Sequence, residues 1–228
     1  KNPTLIVMPR SLLFNWQNEL QRFAPQLSVY TYYAGDRDLE AAMKSQVILT
    51  TYALVRNDID QLRHSHFNTV ILDESQNIKN TAAQTTQSAL LLKADHRLAL
   101  SGTPIENNLT ELYSLFRFLN PAMFGSADDF NARYTMPIQR DDDKDAMAAL
   151  RRKIFPFMLR RLKRDVLKDL PDRIEQTLYV EMSAEQAEFY ERRRRYYYDQ
   201  VNQVIATEGV QKSQFVMFQA MSELRRIA

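Results

Sequence analysis

The chain has 228 residues, 45% hydrophobic and 25% charged, with a net charge of +2 and no cysteine. This describes a globular protein of one large domain, or one and a half ordinary ones, with a sizeable core. It excludes disulfides, cysteine-held metals and cysteine nucleophiles, and no apolar run approaches the roughly 18 residues of a membrane span, so no membrane contact is expected. His64, His66 and His96 are too scattered for a structural zinc site. Charge is uneven along the chain. Residues 151–228 hold 16 Lys/Arg against 11 Asp/Glu, whereas residues 1–150 hold 14 against 17. The carboxy-terminal third is therefore the natural side for contact with a polyanion.

Taken in chain order, "TLIVM" (4–8) reads as a short buried strand closed by Pro9. Ser11 then reads as a helix N-cap, with Leu12, Leu13, Trp16, Leu20 and Phe23 on one face up to Pro25, and Trp16 as core. "VYTYY" (29–33), "VILTTY" (47–52), "TVILD" (69–73) and "RLALSG" (97–102) are further strands, with helical intervals such as 81–93 between most of them. Strands alternating with helices predict an α/β fold, a parallel sheet with helices on both faces. Ligands of such sheets bind outside the carboxyl ends of the strands. Asp73-Glu74 and Ser101-Gly102-Thr103 both fall at such ends.

Beyond "NPAMFG", near residue 120, the pattern becomes mainly helical and richer in arginine. Ser183 and Gln186 form a possible capping box. They open a helix whose Tyr190, Tyr197, Val201, Val204 and Ile205 share a face. "RRKIFPFMLRRLKR" (151–164) carries seven cations and no acid; its Phe155, Phe157, Met158, Leu159 and Leu162 are expected to be buried.

The pair Asp73-Glu74, in "VILDESQNIKN", admits two readings. Adjacent acids repel, and desolvation opposes both, unless a cation or a reaction needs them. Alternatively they stand in the first turn of a helix, whose dipole favours negative charge.

Five blocks resemble one family when taken together: "TLIVMPRSLLFNWQNELQRFAP", "VILTTYALVRND", "VILDESQNIKN", "LALSGTPIENNLTELYSLFRFLNP" and "PFMLRRLKRDVLKDLP". Their order and spacing resemble the Swi/Snf-type helicase-like ATPases, double-stranded-DNA translocases of helicase superfamily 2, over about residues 4–190. The resemblance implies a RecA-like first lobe, ATP and Mg²⁺ as cofactors, and duplex DNA as partner, with a DNA-bound protein complex as a further one. Asp73 would hold Mg²⁺ through water, and Glu74 would orient and deprotonate the attacking water. Gln76 matches the position that senses the γ-phosphate. Ser101, Gly102 and Thr103 resemble the segment that couples nucleotide state to lobe movement. Arg10, Ser11, Thr50, Thr51 and Lys79 fall in or beside blocks that hold one DNA strand. The acid box would end the strand next to the one carrying the nucleotide loop. A helix start after Arg10-Ser11 would also present free amides to a phosphate.

The loop itself, G-x-x-x-x-G-K-[ST], needs two glycines five apart. Gly35, Gly102, Gly125 and Gly209 are the only glycines. The chain therefore reads as an excised piece, inactive alone. Residues 1–120 correspond to partial lobe one, 121–175 to its helical protrusion and the bridge, and 176–228 to the start of lobe two or a second protrusion. The expected setting is cytoplasmic, nucleoid-associated if bacterial. The alternative is a non-enzymatic DNA- or protein-binding module that uses the arginine-rich helices, "YERRRRYYY" (190–198) among them.

Overall fold

A computed structural model of the chain describes residues 2–35, 37–102, 109–161 and 176–228. They fall into two compact units, residues 1–159 and 160–228.

In the first unit five strands form one parallel sheet: β1 (Thr4–Met8), β2 (Val29–Thr31), β3 (Val47–Thr51), β4 (His66–Leu72) and β5 (Lys93–Ala99), in the order β2-β3-β1-β4-β5. The central strands β1 and β3 are mostly aliphatic and buried because both faces are covered. Leu5 and Val7 of β1 enter one core with Tyr52, Val55, Leu62, Ala89 and Phe118, from helices α3 (Tyr52–Asn57), α4 (Ile59–Leu62), α5 (Gln84–Leu91) and α6 (Leu109–Leu119). The short α2 (Leu39–Met43) adds Ala42 to that core. Ile6 and Met8 enter the opposite core, beneath Leu13, Trp16 and Leu20 of α1 (Leu13–Phe23). Each such aliphatic side chain stabilises by about 1.5–3 kcal/mol when fully buried.

Several boundaries differ from the expected ones. Ser11 does not cap α1. It sits in a 3-10 turn over Arg10–Leu12, with Leu12 N–H donating to the Pro9 carbonyl and Leu13 N–H to the Arg10 carbonyl, so the turn takes up a donor that a Ser11 hydroxyl would have accepted from. Phe23 has rotated off the apolar face of α1; it is 69% exposed, with the Arg22 guanidinium over its ring. β4 and β5 start earlier than expected, because His66 pairs with Lys93 at the head of their ladder. β5 lies at the sheet edge, where Lys93, Asp95 and His96 face solvent, so its polar half does not read as a strand.

A second core forms on the far side of α6. Leu112, Tyr113 and Phe116 meet Phe130, Tyr134 and Leu150 from α7 (Ala127–Phe130), the π turn Asn131–Thr135 that leads into α8 (Met136–Arg140), and α9 (Lys144–Ile154). Phe130 stands 5.1 Å from both Tyr113 and Phe124, tilted to one and edge-on to the other. Such pairs add about 0.5–1.5 kcal/mol each beyond area burial. The break after residue 120 turns on Gly125, at φ +71°, where a Cβ would also lie 3.0 Å from Asp129 Oδ2. Residues 155–159 contradict the expectation of burial. Phe155 is 78% and Leu159 80% exposed, Phe157 and Met158 are also exposed, and Leu162 lies outside the described residues. Ile154 already packs against the second core, and of the short turn Phe155–Phe157 that follows, Phe157 stays at the core's rim, edge-on to Phe116 at 6.4 Å.

The second unit contains α10 (Ala184–Glu208) and α11 (Val210–Ile227), joined at Gly209 with φ +86°. Gln186 meets Ile227 and Tyr197 meets Glu223, so the two helices run antiparallel. Tyr197 is buried and Tyr190, Val201, Val204 and Ile205 half-buried, the face expected from their spacing. Only half of the capping box forms. Ser183 accepts from the Gln186 N–H at 3.2 Å, while the Gln186 side chain donates to the Ile227 carbonyl instead. Ser183→Ala should therefore cost about 1 kcal/mol in denaturant unfolding and Ser183→Gly only a few tenths; no loss in Ser183→Ala would show that the hydroxyl contributes nothing.

Candidate functional site

The register of the sheet sets the carboxyl ends of β1, β3, β4 and β5 side by side: Met8 beside Thr51, Val7 beside Leu72, and Leu72 beside Ala99. Connections from β1 and β4 leave toward opposite edges, which makes the crevice between them the topological switch point, where ligands of open α/β sheets bind. Asp73 begins just past the end of β4. Its N–H donates to the Val7 carbonyl at 2.8 Å, and the Ser75 N–H donates to Leu100 at 2.9 Å, so the loops after β4 and β5 are pinned together.

The first-turn reading of the acids does not hold, since the 3-10 turn Ser75–Ile78 that follows them has no acid in its first turn. Glu74 stands at φ 49°, ψ 54°, left-handed backbone in a residue with a Cβ. Such a conformation costs on the order of 1–3 kcal/mol and concentrates at functional sites. Local hydrogen bonds hold it there. Asp73 Oδ1 accepts from the Glu74 N–H at 2.8 Å, and the Glu74 carbonyl accepts from Asn77 Nδ2 at 2.8 Å. The two carboxylates then diverge. Glu74 Oε2 accepts from Gln76 Nε2 at 2.7 Å, and Gln76 Oε1 accepts from the Ser101 hydroxyl at 3.3 Å. Glu74, Gln76 and Ser101, three positions singled out in the sequence, are one hydrogen-bonded chain. Gly102 follows in an exposed bend; Thr103 lies outside the described residues.

Two further residues converge on Asp73. Trp16 Nε1 donates to Asp73 Oδ2 at 2.7 Å, and the Tyr52 hydroxyl donates to the Asp73 carbonyl at 2.7 Å. Tyr52 is buried, and that burial, followed by the charges of Asp73 and Glu74, pushes its phenol well above the ordinary value. It therefore remains a donor at any physiological pH. Trp16 was expected to be pure core. A half-buried indole N–H needs a partner, and that requirement is the signal the apolar face concealed.

The other expected residues separate from this cluster. Thr50 is fully buried with its hydroxyl on the Tyr32 carbonyl, and Thr51 is buried and caps α3 by accepting from Leu54 N–H. Each is held at the end of a strand enclosed on both faces, and a hydroxyl there must find a partner within the chain. Arg10 and Ser11 are exposed, with the Arg10 guanidinium 5.8 Å from the centre of the Tyr33 ring. Lys79 is exposed, 4.0 Å from Glu111. Of the arginine run, Arg193 pairs with Glu223 and Arg194 with Glu191.

The acid box does not sit next to a loop-bearing strand. β4 is flanked by β1 and β5, both within the chain, so any additional strand could pair only at β2 or β5. Among the described residues no three Asp, Glu or His side chains gather to hold a metal by themselves. Two hard carboxylates do fit Mg²⁺, which keeps several waters and takes one or two protein carboxylates beside phosphate oxygens.

The arrangement is thus an acidic crevice at the switch point of a RecA-like sheet, the plan of a nucleotide-handling lobe. The SNF2-related domain model matches residues 1–228, and the chain belongs to that family. It is 44% identical over 198 residues to the putative ATP-dependent helicase/translocase YwqA of Bacillus subtilis, covering 84% of this chain and 22% of that one. It is 42% identical over 196 residues to the TATA-binding protein-associated factor mot1 of Schizosaccharomyces pombe, covering 79% and 10%. Among solved structures, the SWI2/SNF2 ATPase core of Sulfolobus solfataricus in complex with dsDNA superposes with a TM-score of 0.68 at 33% identity, over 99% of this chain and 47% of that one. The chain therefore spans a minor part of each of these relatives. No helix among the described residues is long and apolar enough to cross a membrane.

Proposed function

We propose that this chain is part of the motor of an ATP-dependent double-stranded-DNA translocase, contributing the acid-box side of the nucleotide site. The observation that carries this reading is the hydrogen-bonded chain Glu74–Gln76–Ser101 beside Asp73 at the switch point. Residues 1–120 act as partial lobe one, 121–175 as its protrusion and bridge, and 176–228 as the start of lobe two or a second protrusion. Asp73 holds Mg²⁺ through water, and the metal supplies charge neutralisation on the phosphates. Glu74 orients and deprotonates the attacking water. Gln76 responds to the γ-phosphate and relays its presence to Ser101, Gly102 and Thr103. The partner is duplex DNA, and a DNA-bound protein complex is the object of translocation. A bacterial version works at the nucleoid.

DNA contact falls on the carboxyl edge of the first unit, at Arg10, Ser11 and Lys79. Arg10 and Lys79 are exposed, and Lys79 is held only loosely, 4.0 Å from Glu111, whereas Arg193 and Arg194 of the second unit make closer ion pairs. Binding that neutralises phosphates weakens with salt by roughly 0.9 log units per contact per tenfold salt. The full-length protein should hydrolyse ATP with stimulation by duplex DNA of any sequence, and this chain alone should not turn ATP over. In fluorescence anisotropy on a random 30-base-pair duplex, Arg10→Gln/Lys79→Gln should flatten the salt slope of the full-length protein by nearly two contacts' worth. Neutralising Arg192–Arg195 should change it less. The opposite ranking would move the footprint to α10, ATP turnover by the isolated chain would overturn its expected inactivity, and a full-length protein without ATP hydrolysis would remove the motor reading.

A further inference from the structure

We propose that Trp16 is a positioning residue for Asp73, setting the geometry in which that carboxylate meets a divalent cation; the inference rests on the role given to Asp73 above. Trp16 is the only tryptophan in the chain. Its ring packs in the core beneath α1, and its Nε1 reaches across the switch point to Asp73 Oδ2 at 2.7 Å. The other oxygen, Oδ1, accepts the Glu74 N–H at 2.8 Å, and Tyr52 holds the Asp73 carbonyl at 2.7 Å. Each carboxylate oxygen thus has one lone pair fixed by the protein and one left for a metal-bound water, since an ionised carboxylate offers about four acceptor sites. Partners of this kind orient a ligating carboxylate, and their loss typically costs 10–100-fold in metal affinity or activity.

The geometry also assigns α1 a second task. Trp16 lies on the helix that follows the Arg10–Leu12 turn, and Tyr52 opens the helix capped by Thr51. Asp73 is therefore tied to both connections that leave the carboxyl edge beside it, those after β1 and β3. A displacement of α1 is felt at the carboxylate through the Trp16 hydrogen bond, and one of α3 at the Asp73 main-chain carbonyl through Tyr52.

The test is a Mg²⁺ titration of nucleotide binding to the full-length protein, with a fluorescent ADP analogue as probe, alongside binding in EDTA. Trp16→Phe removes the N–H and part of the ring. A second variant, β-(3-benzothienyl)alanine introduced at position 16, keeps the bicyclic shape and replaces only the N–H with sulfur. Both should raise the Mg²⁺ midpoint about tenfold and leave binding in EDTA unchanged, which a purely packing role would not do. A wild-type midpoint in the benzothienyl variant overturns the inference even if Trp16→Phe fails to fold. A wild-type protein with no Mg²⁺ dependence of nucleotide binding overturns the role of Asp73, and this inference with it.

Discussion

Glu74→Gln in the full-length protein lowers ATP hydrolysis by about 10²-fold or more while leaving nucleotide affinity nearly unchanged. A hundredfold loss corresponds to about 2.7 kcal/mol of transition-state stabilisation, at 1.36 kcal/mol per decade. Phosphoryl transfer asks little covalent chemistry of the protein; its residues position the nucleophile and neutralise charge. Glutamine keeps the size of the side chain and can still accept from Gln76 Nε2, as Oε2 of Glu74 does at 2.7 Å. What disappears is the base and its charge, so the binding step is spared. Asp73→Asn should behave differently. The indole N–H of Trp16 and the backbone N–H of Glu74 both point at acceptor oxygens, so an amide nitrogen at either position faces a donor. It should weaken Mg²⁺-dependent nucleotide binding as well as turnover. Steady-state phosphate release and Mg²⁺-dependent nucleotide titration on both variants make the distinction. Normal hydrolysis by both would reduce the acid box to a strained turn.

The legible part of this fold was its central layer. β1, the start of β3 and the end of β4 are aliphatic runs buried on both faces, and such a run closed by Pro9 or by an acid pair leaves little room for another reading. β5 was half-visible, because an edge strand may alternate charge with apolar residues and still pair along its full length. Within the site, Asp73, Glu74 and Ser101 could be marked from their position at strand ends, and Gln76 only from the family resemblance. Their order of connection could not, since it depends on Glu74 adopting left-handed backbone that no residue type announces. Trp16 shows the converse. Its apolar spacing was correct, but spacing describes the ring and is silent about the N–H. Thr50 and Thr51 carry hydroxyls at the right edge of the sheet, yet burial turns those groups inward. Residues 155–159 read as core by composition alone; the helix that precedes them had already supplied a residue, Ile154, that packs against the cluster.

Phe118→Ala should destabilise the first unit by about 3–5 kcal/mol, a large part of the 5–15 kcal/mol that holds a typical domain together. Phe118 is 0% exposed and joins the main core from the last turn of α6, next to Leu72 and Leu92. Deleting the ring loses its transfer free energy and leaves a cavity between α6 and the sheet edge, where β5 has a neighbour on one side only. It also strips the cover from Arg97, whose guanidinium lies 5.4 Å from the ring centre and donates to the Phe118 carbonyl at 3.1 Å and the Leu92 carbonyl at 2.9 Å. Burial already pulls the Arg97 guanidinium below its ordinary value. Its charge is held by two helix-end carbonyls, a favourable place for a cation. Trp16, being unique and within this unit, supplies the probe: its fluorescence in a denaturant titration follows the first unit alone. Phe155→Ala is the control, since an exposed phenylalanine of the same unit should change stability by no more than about 0.5 kcal/mol. If the two substitutions shifted the midpoint equally, α6 would not be docked on the sheet through Phe118.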